Sequence, residues 1–265
     1  MKFVTAVALA GCLWPAVAVA APNAKSALMR ARTAYNQGQW DEALAAAEEA
    51  RTSPDFADGA DLIAARSYLE RFRTAKTADD LVNAREHLKR LDPSKFSRSE
   101  RLEFLVGLGE ALYLDDQPGA AAVVFESVVV PSTELTGSAR ERVLDWWAAA
   151  LDRDARPRPE IDRREIYQRV RERMAEELTL NPGSATASYW ISAASRGQGD
   201  LQAAWDAAEA GWVRAPLTAD GGHTLRSDLD ELVQRAIVPE RSRILGQPAD
   251  AIAAEWEAFK DRWRR

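Results

Sequence analysis

Small and apolar residues recur along this chain at helical spacing, and no stretch alternates apolar with polar long enough to make a strand. Ala27, Ala31 and Ala34 fall on one face of a first helix, and Ala43, Ala47 and Ala50 on one face of a second, with Gly38-Gln39 between them and Pro54 behind. The order helix, Gly turn, helix, Pro stop returns at Ile191, Gly199-Asp200, Ala203-Ala204-Ala208-Gly211 and Pro216. Read this way, a first pair runs from about Ala24 to Thr52. A second uses Ala60 to Arg73 and Asp79 to Leu91, closed by Pro93 because proline cannot continue a helix. The third pair has Leu108-Gly109 in one helix and Ala121, Phe125 and Val128 in the other. The fourth has Val143-Leu144, Trp147-Ala148 and Leu151, then Ile161 to Leu180, interrupted by the Pro- and charge-rich loop Arg153 to Pro159 and stopped by Asn181-Pro182-Gly183.

The residue at the expected helix–helix contact is Ala43, Leu81, Ala121, Val170 and Ala204, at spacings of 38, 40, 49 and 34. With Gly38-Gln39-Trp40-Asp41-Glu42-Ala43-Leu44, Leu108-Gly109 and Gly199-Asp200-Leu201, this pattern resembles the tetratricopeptide repeat (TPR), whose period is about 34 residues. The resemblance covers most of Ala24 to Pro216 and implies an all-α chain: a right-handed α-solenoid of about five antiparallel helix pairs. It implies a binding scaffold and no particular partner.

Beyond Pro216 the rhythm changes. A turn at Ala219-Asp220-Gly221-Gly222 precedes an amphipathic helix from His223 to Val238, which Pro239 should stop. Gln247-Pro248 breaks the chain again before a last helix, Ala249 to Arg265, with Ile252, Trp256, Phe259 and Trp263 in one stripe. A repeat array needs its last apolar face covered. The expected layout is therefore a repeat array over 21–216 and capping helices over 217–265.

The N-terminus changes the picture. Met1-Lys2, the uncharged run Phe3 to Val19 and the small-x-small site Ala18-Val19-Ala20 read as a secretory signal peptide over 1–20. That predicts an exported, periplasmic protein. Leu9-Ala10-Gly11-Cys12 offers an alternative, a lipoprotein anchored through Cys12. Since Cys12 is the chain's only cysteine, the folded part has no thiol for a disulfide, a zinc site or a nucleophile. No further long apolar run predicts a transmembrane segment in the mature chain. The formal charge of −6 argues against nucleic acid, whose phosphates demand a basic surface.

Candidate chemistry is sparse. His87 and His223 lie in different segments and form no metal pair. His87 reads as a solvated residue on a charged helix face, His223 as a turn or capping residue. The carboxylate pairs Asp115-Asp116, Glu176-Glu177 and Asp230-Glu231 read as solvated charges. No Gly-x-Ser-x-Gly elbow or phosphate loop is present, so no enzyme, cofactor or metal is expected. Most of the tryptophans read as core.

The TPR resemblance implies that the first helix of each pair lines a concave face. Carried over, this gives Arg32, Tyr35 and Asn36, then Arg66, Glu70 and Arg73, then Glu110 and Tyr113, then Asp145 and Asp152, and finally Tyr189 and Arg196 as candidate peptide-binding residues. The arginines and Asn36 echo a carboxylate clamp without reproducing its order. A protein or peptide is the expected partner. Exposed Trp and Tyr against an envelope glycan such as peptidoglycan is the alternative, and an exported hydrolase the remote one.

Overall fold

A computed structural model describes residues 21–129, 135 and 137–263; the predicted signal segment 1–20, with Cys12, lies outside the described residues. Among the described residues the regular structure is helical throughout, and no helix is long and apolar enough to cross a membrane. The chain falls into two compact units divided between Asp92 and Pro93.

The first unit holds α1 (Ala21–Asn36), α2 (Trp40–Arg51), α3 (Pro54–Ala75) and α4 (Ala78–Arg90), each packed on the next, with α1 also reaching α3. Its core is made largely of alanine: Ala27, Ala31, Ala43, Ala50 and Ala60 are fully buried. Methyl groups fill little space, so the backbones can pack close, and Leu62 and Leu69 supply bulk on α3. Pro54 stands in the first turn of α3, where its missing N–H is harmless.

The second unit begins with α5 (Arg98–Leu114), whose start is fixed by a capping box between Ser97 and Glu100. Then come α6 (Pro118–Val129), α7 (Gly137–Ala155), α8 (Glu160–Leu180), α9 (Ala185–Gly197) and α10 (Leu201–Arg214). Successive helices pack together, and α7 also contacts both α5 and α9. The expected close contact at Leu108-Gly109 is present. A Cβ on Gly109 would lie 2.6 Å from the ring of the fully buried Phe125, so only glycine fits.

The C-terminal part differs from the sequence reading at Pro239. α11 (His223–Leu232) runs through a widened π-turn (Val233–Ile237) into α12 (Val238–Leu245), so the helix passes Pro239. The N–H of Val238 reaches back to the carbonyl of Val233, and Pro239 falls in the first turn of the new segment, where no donor is required. α13 (Ala249–Trp263) docks against α10 and α12. Ile252, Trp256 and Phe259 of the predicted stripe are buried against Trp205, Leu229, Val233 and Ile237; Trp263 is 45% exposed and lies outside this core. The Trp256 indole donates to Asp230 at 2.6 Å, and the buried Lys260 ammonium donates to the same carboxylate at 2.7 Å.

Two expectations of solvated charge are corrected here. Glu177 is buried and accepts a bidentate fork from Arg140, with Nε at 2.9 Å from each oxygen. His87 is half-buried: its Nδ1 lies 2.6 Å from the buried Asp61, and its ring stacks on Tyr68. In both cases a polar residue on one helix meets a hydrogen-bonding partner on another, so burial is tolerated because the polar groups are satisfied.

Candidate functional site

In the second unit, α7 and α9 lie side by side, with Tyr113 of α5 on one flank and Leu232 of α11 on the other. Between them run three clefts of about 580, 370 and 570 Å³. The first and second share Tyr189 and Leu232; the second and third share Asp152, Arg156, Tyr167, Arg196 and Gly197. They are therefore one groove, running lengthwise along α7. From Glu141 to Arg156, a rise of about 1.5 Å per residue gives a length of about 22 Å.

The end near the start of α7 is acidic. Glu141, Asp145, Asp228 and Glu231 stand there over a floor of Ala185, Leu225, Leu232 and Ala236, with Arg142 and Arg235 at the rim. Glu141 is engaged, accepting the backbone N–H of Thr186 at 2.9 Å at the start of α9. Asp145 accepts the Trp190 indole N–H at 2.8 Å. Asp228 makes no hydrogen bond or ion pair among the described residues. Desolvation in the cleft, and then the charges of Asp145, Glu231 and Asp220, push its pKa above the ordinary carboxylate value. The Tyr189 hydroxyl is pushed up too, by burial first and then by Asp228 and Asp145.

The other end is rich in arginine. Arg153, Arg156, Arg163, Arg164 and Arg196 line it, against Asp152, Glu160 and Glu240. Most of these are tied. Arg156 pairs with Asp152, Arg164 with Glu160, and Arg196 with Glu240, while Arg153 donates to the Tyr113 carbonyl at 3.1 Å. The guanidinium of Arg163 has no such partner among the described residues. Tyr167 donates to Asp152 at 2.7 Å, and burial together with that bond holds its hydroxyl well above the usual phenol value. Its ring packs flat over Gly197, where a side chain would collide with it.

Of the residues read from the sequence, Tyr113, Asp145, Asp152, Tyr189 and Arg196 come together in this groove. Glu110 is buried rather than set on an open face. In the first unit, Arg66 lies 4.5 Å over the Tyr35 ring, which also packs on Trp40, and Glu70 pairs with Arg73 one helical turn away at 2.6 Å. Arg32 is half-buried and Asn36 exposed. Sequence reasoning missed Tyr167, Arg163, Asp228 and Glu231. The signal available was the Asp228/Glu231 spacing, which sets both on one face of α11, a helix that had been assigned to capping alone.

His223 is exposed beside a smaller cleft with Trp212, Arg226 and Asp230. Nearby, Asp220 accepts the N–H groups of Gly222 and Thr224 at 2.9 and 2.8 Å and opens α11 as a cap. Hydrogen bonds from the Thr224 and Thr218 side chains first, and then these backbone N–H groups, hold its carboxyl far below the ordinary range.

No protein-family model and no curated protein sequence matches the chain.

Proposed function

We propose that this chain is an exported, non-enzymatic TPR-like scaffold whose helix pairs stack as a right-handed α-solenoid and which binds a protein or peptide segment along the α7–α9 groove. The observation that carries the reading is the groove itself. It is open, about 22 Å long by the helical rise, walled by tyrosines, and lined by charges of both signs. At about 3.3 Å per residue an extended segment of six or seven residues would fill it. The tryptophans support a peptide over a glycan. Trp147, Trp205 and Trp256 are buried in the cores; Trp190 lines the middle cleft but is only 8% exposed, with its N–H held by Asp145, and tyrosines and arginines take the rest of the groove wall. Sugar recognition by stacking would want indole faces open to solvent there.

The test is a peptide-display selection on the mature chain, followed by affinity measurement on wild type and on Ala193→Trp, which would plug the middle of the groove. Selected peptides should lose most of their affinity for Ala193→Trp. Peptides that bind both forms equally would place recognition elsewhere and sink the proposal.

A further inference from the structure

The groove is electrically polarised along its length. At its α11 end the lining holds four carboxylates against two arginines; at the other end it holds five arginines against three carboxylates. Part of this ordering follows the helix dipoles, which favour acids near the start of α7 and α9 and bases near their ends. That accounts for Glu141 and Arg156. It does not account for Asp228 and Glu231, which α11 brings in from the side. Nor does it account for the unpartnered charges of the lining, Asp228 with Arg142 at the rim of one end and Arg163 at the other. The exposed Asp228 carboxylate stands with Asp145 and Glu231, and the half-buried Arg163 guanidinium with Arg156 and Arg164, so the opposite ends of the groove present opposite charge to an occupant.

We propose that the occupant is a peptide segment with its charges segregated: a lysine or arginine seated over Asp145 and Asp228, and an aspartate or glutamate about four to six residues away, over Arg163 and its neighbours. The apolar floor of Leu225, Leu232 and Ala236 suits the acidic end to a long basic side chain, whose methylene stem lies on the floor while its head meets the carboxylates. Tyr189, shared between the acidic and middle clefts, packs edge-on against Trp190 and gives the segment a rigid wall to cross. The segment is thereby bound in one direction, because reversal would set like charges together at both ends. This rests on the groove reading above.

The experiment titrates four fluorescent peptides of equal length, each with a central tyrosine, into the mature chain at low salt. One has lysines in one half and glutamates in the other, one alternates the two, one carries lysines only and one glutamates only. The segregated peptide should bind about tenfold tighter than the alternating one of the same net charge. Asp228→Asn and Arg163→Gln should each erase most of that preference. Asp228→Arg should turn the preference towards the glutamate-only peptide, a gain that misfolding cannot mimic. Equal binding of segregated and alternating peptides, or a preference that survives Asp228→Arg, overturns the polarity. If peptides bind without charge order but still lose affinity for Ala193→Trp, the polarity alone falls; if no peptide responds to Ala193→Trp, the groove reading falls with it.

Discussion

Truncating Trp256 to alanine tests whether α13 is an integral part of the second unit. Its side chain is fully buried. It meets Trp205 and Trp212 edge-on at 5.7 and 5.6 Å and stacks on Phe259 at 5.6 Å. An indole buries roughly 150–250 Å², and at about 25 cal/mol per Å² the transfer term is about 4–6 kcal/mol as an upper bound. Tryptophan-to-alanine changes in cores cost about 3–5 kcal/mol once partial collapse is allowed. Asp230 loses one donor but keeps Lys260, so no orphaned carboxylate adds to the cost. A loss of about 4 kcal/mol corresponds to a fall in Tm of about 8–16 °C for a unit of this size. Thermal and urea unfolding should be run beside Trp263→Ala, whose side chain is 45% exposed and whose loss should cost no more than about 0.5 kcal/mol. If Trp256→Ala melted together with Trp263→Ala, the docking of α13 described above would be wrong.

Deleting residues 249–265 should lower Tm clearly and raise binding of an apolar-surface dye; an unchanged melt would make this helix a free tail. Ala43→Trp and Ala121→Trp, at fully buried helix contacts, should each cost about 1–3 kcal/mol or more in denaturant unfolding, and wild-type curves for both would refute the helix register. Asp228→Asn should stabilise the chain at neutral pH. Because the folded state raises this pKa, the ionised form carries a cost that is full above the folded pKa and vanishes as pH falls below the unfolded value, so the two proteins should converge in acid. Lys260 shows the reverse dependence. Desolvation lowers its pKa, but hydrogen bonds to Asp230 and Glu257 outweigh that and raise it, so its stabilisation is present below the unfolded pKa and is lost as alkali carries pH through the folded one. Lys260→Met should flatten that alkaline fall. If the chain is exported as proposed, N-terminal sequencing of the mature form should begin at Ala21; a lipidated Cys12 would identify the other processing route.

The helices were legible because their contacts are made by residue types with few alternatives. Gly109 against Phe125, the alanines of α1 and α2, and the glycine and proline punctuation announce close packing and chain reversal without reference to distant parts of the fold. Pro239 misled because a proline's effect depends on the hydrogen-bond register around it, and a π-turn changes that register without any residue that advertises it. The polar pairs Asp61–His87 and Arg140–Glu177 were hidden for a different reason: each joins residues 26 or 37 positions apart, and helical periodicity shows that a side chain faces inward but not what waits for it. The groove was half visible. Tyr113, Tyr189 and Arg196 follow from helix order, whereas Asp228 and Arg163 enter from neighbouring helices whose approach no local pattern encodes.

The widened turn at Val233–Ile237 acts as a phase shifter. In an ordinary α-helix each residue advances the face by about 100°, so the one-residue surplus of a π-turn resets everything downstream by that amount. Upstream of it, Leu225, Leu229 and Leu232 face the core; downstream, Val238 returns to the core while Glu240 swings to Arg196 at the groove's far end. One helix thus serves two walls that an unbroken 3.6-residue period could not reach together. The length of this segment is consequently more constrained than its composition. Exchange of one aliphatic residue for another within it is a local matter, whereas the gain or loss of a single residue would turn α12 away from both walls and separate the ends of the groove from each other.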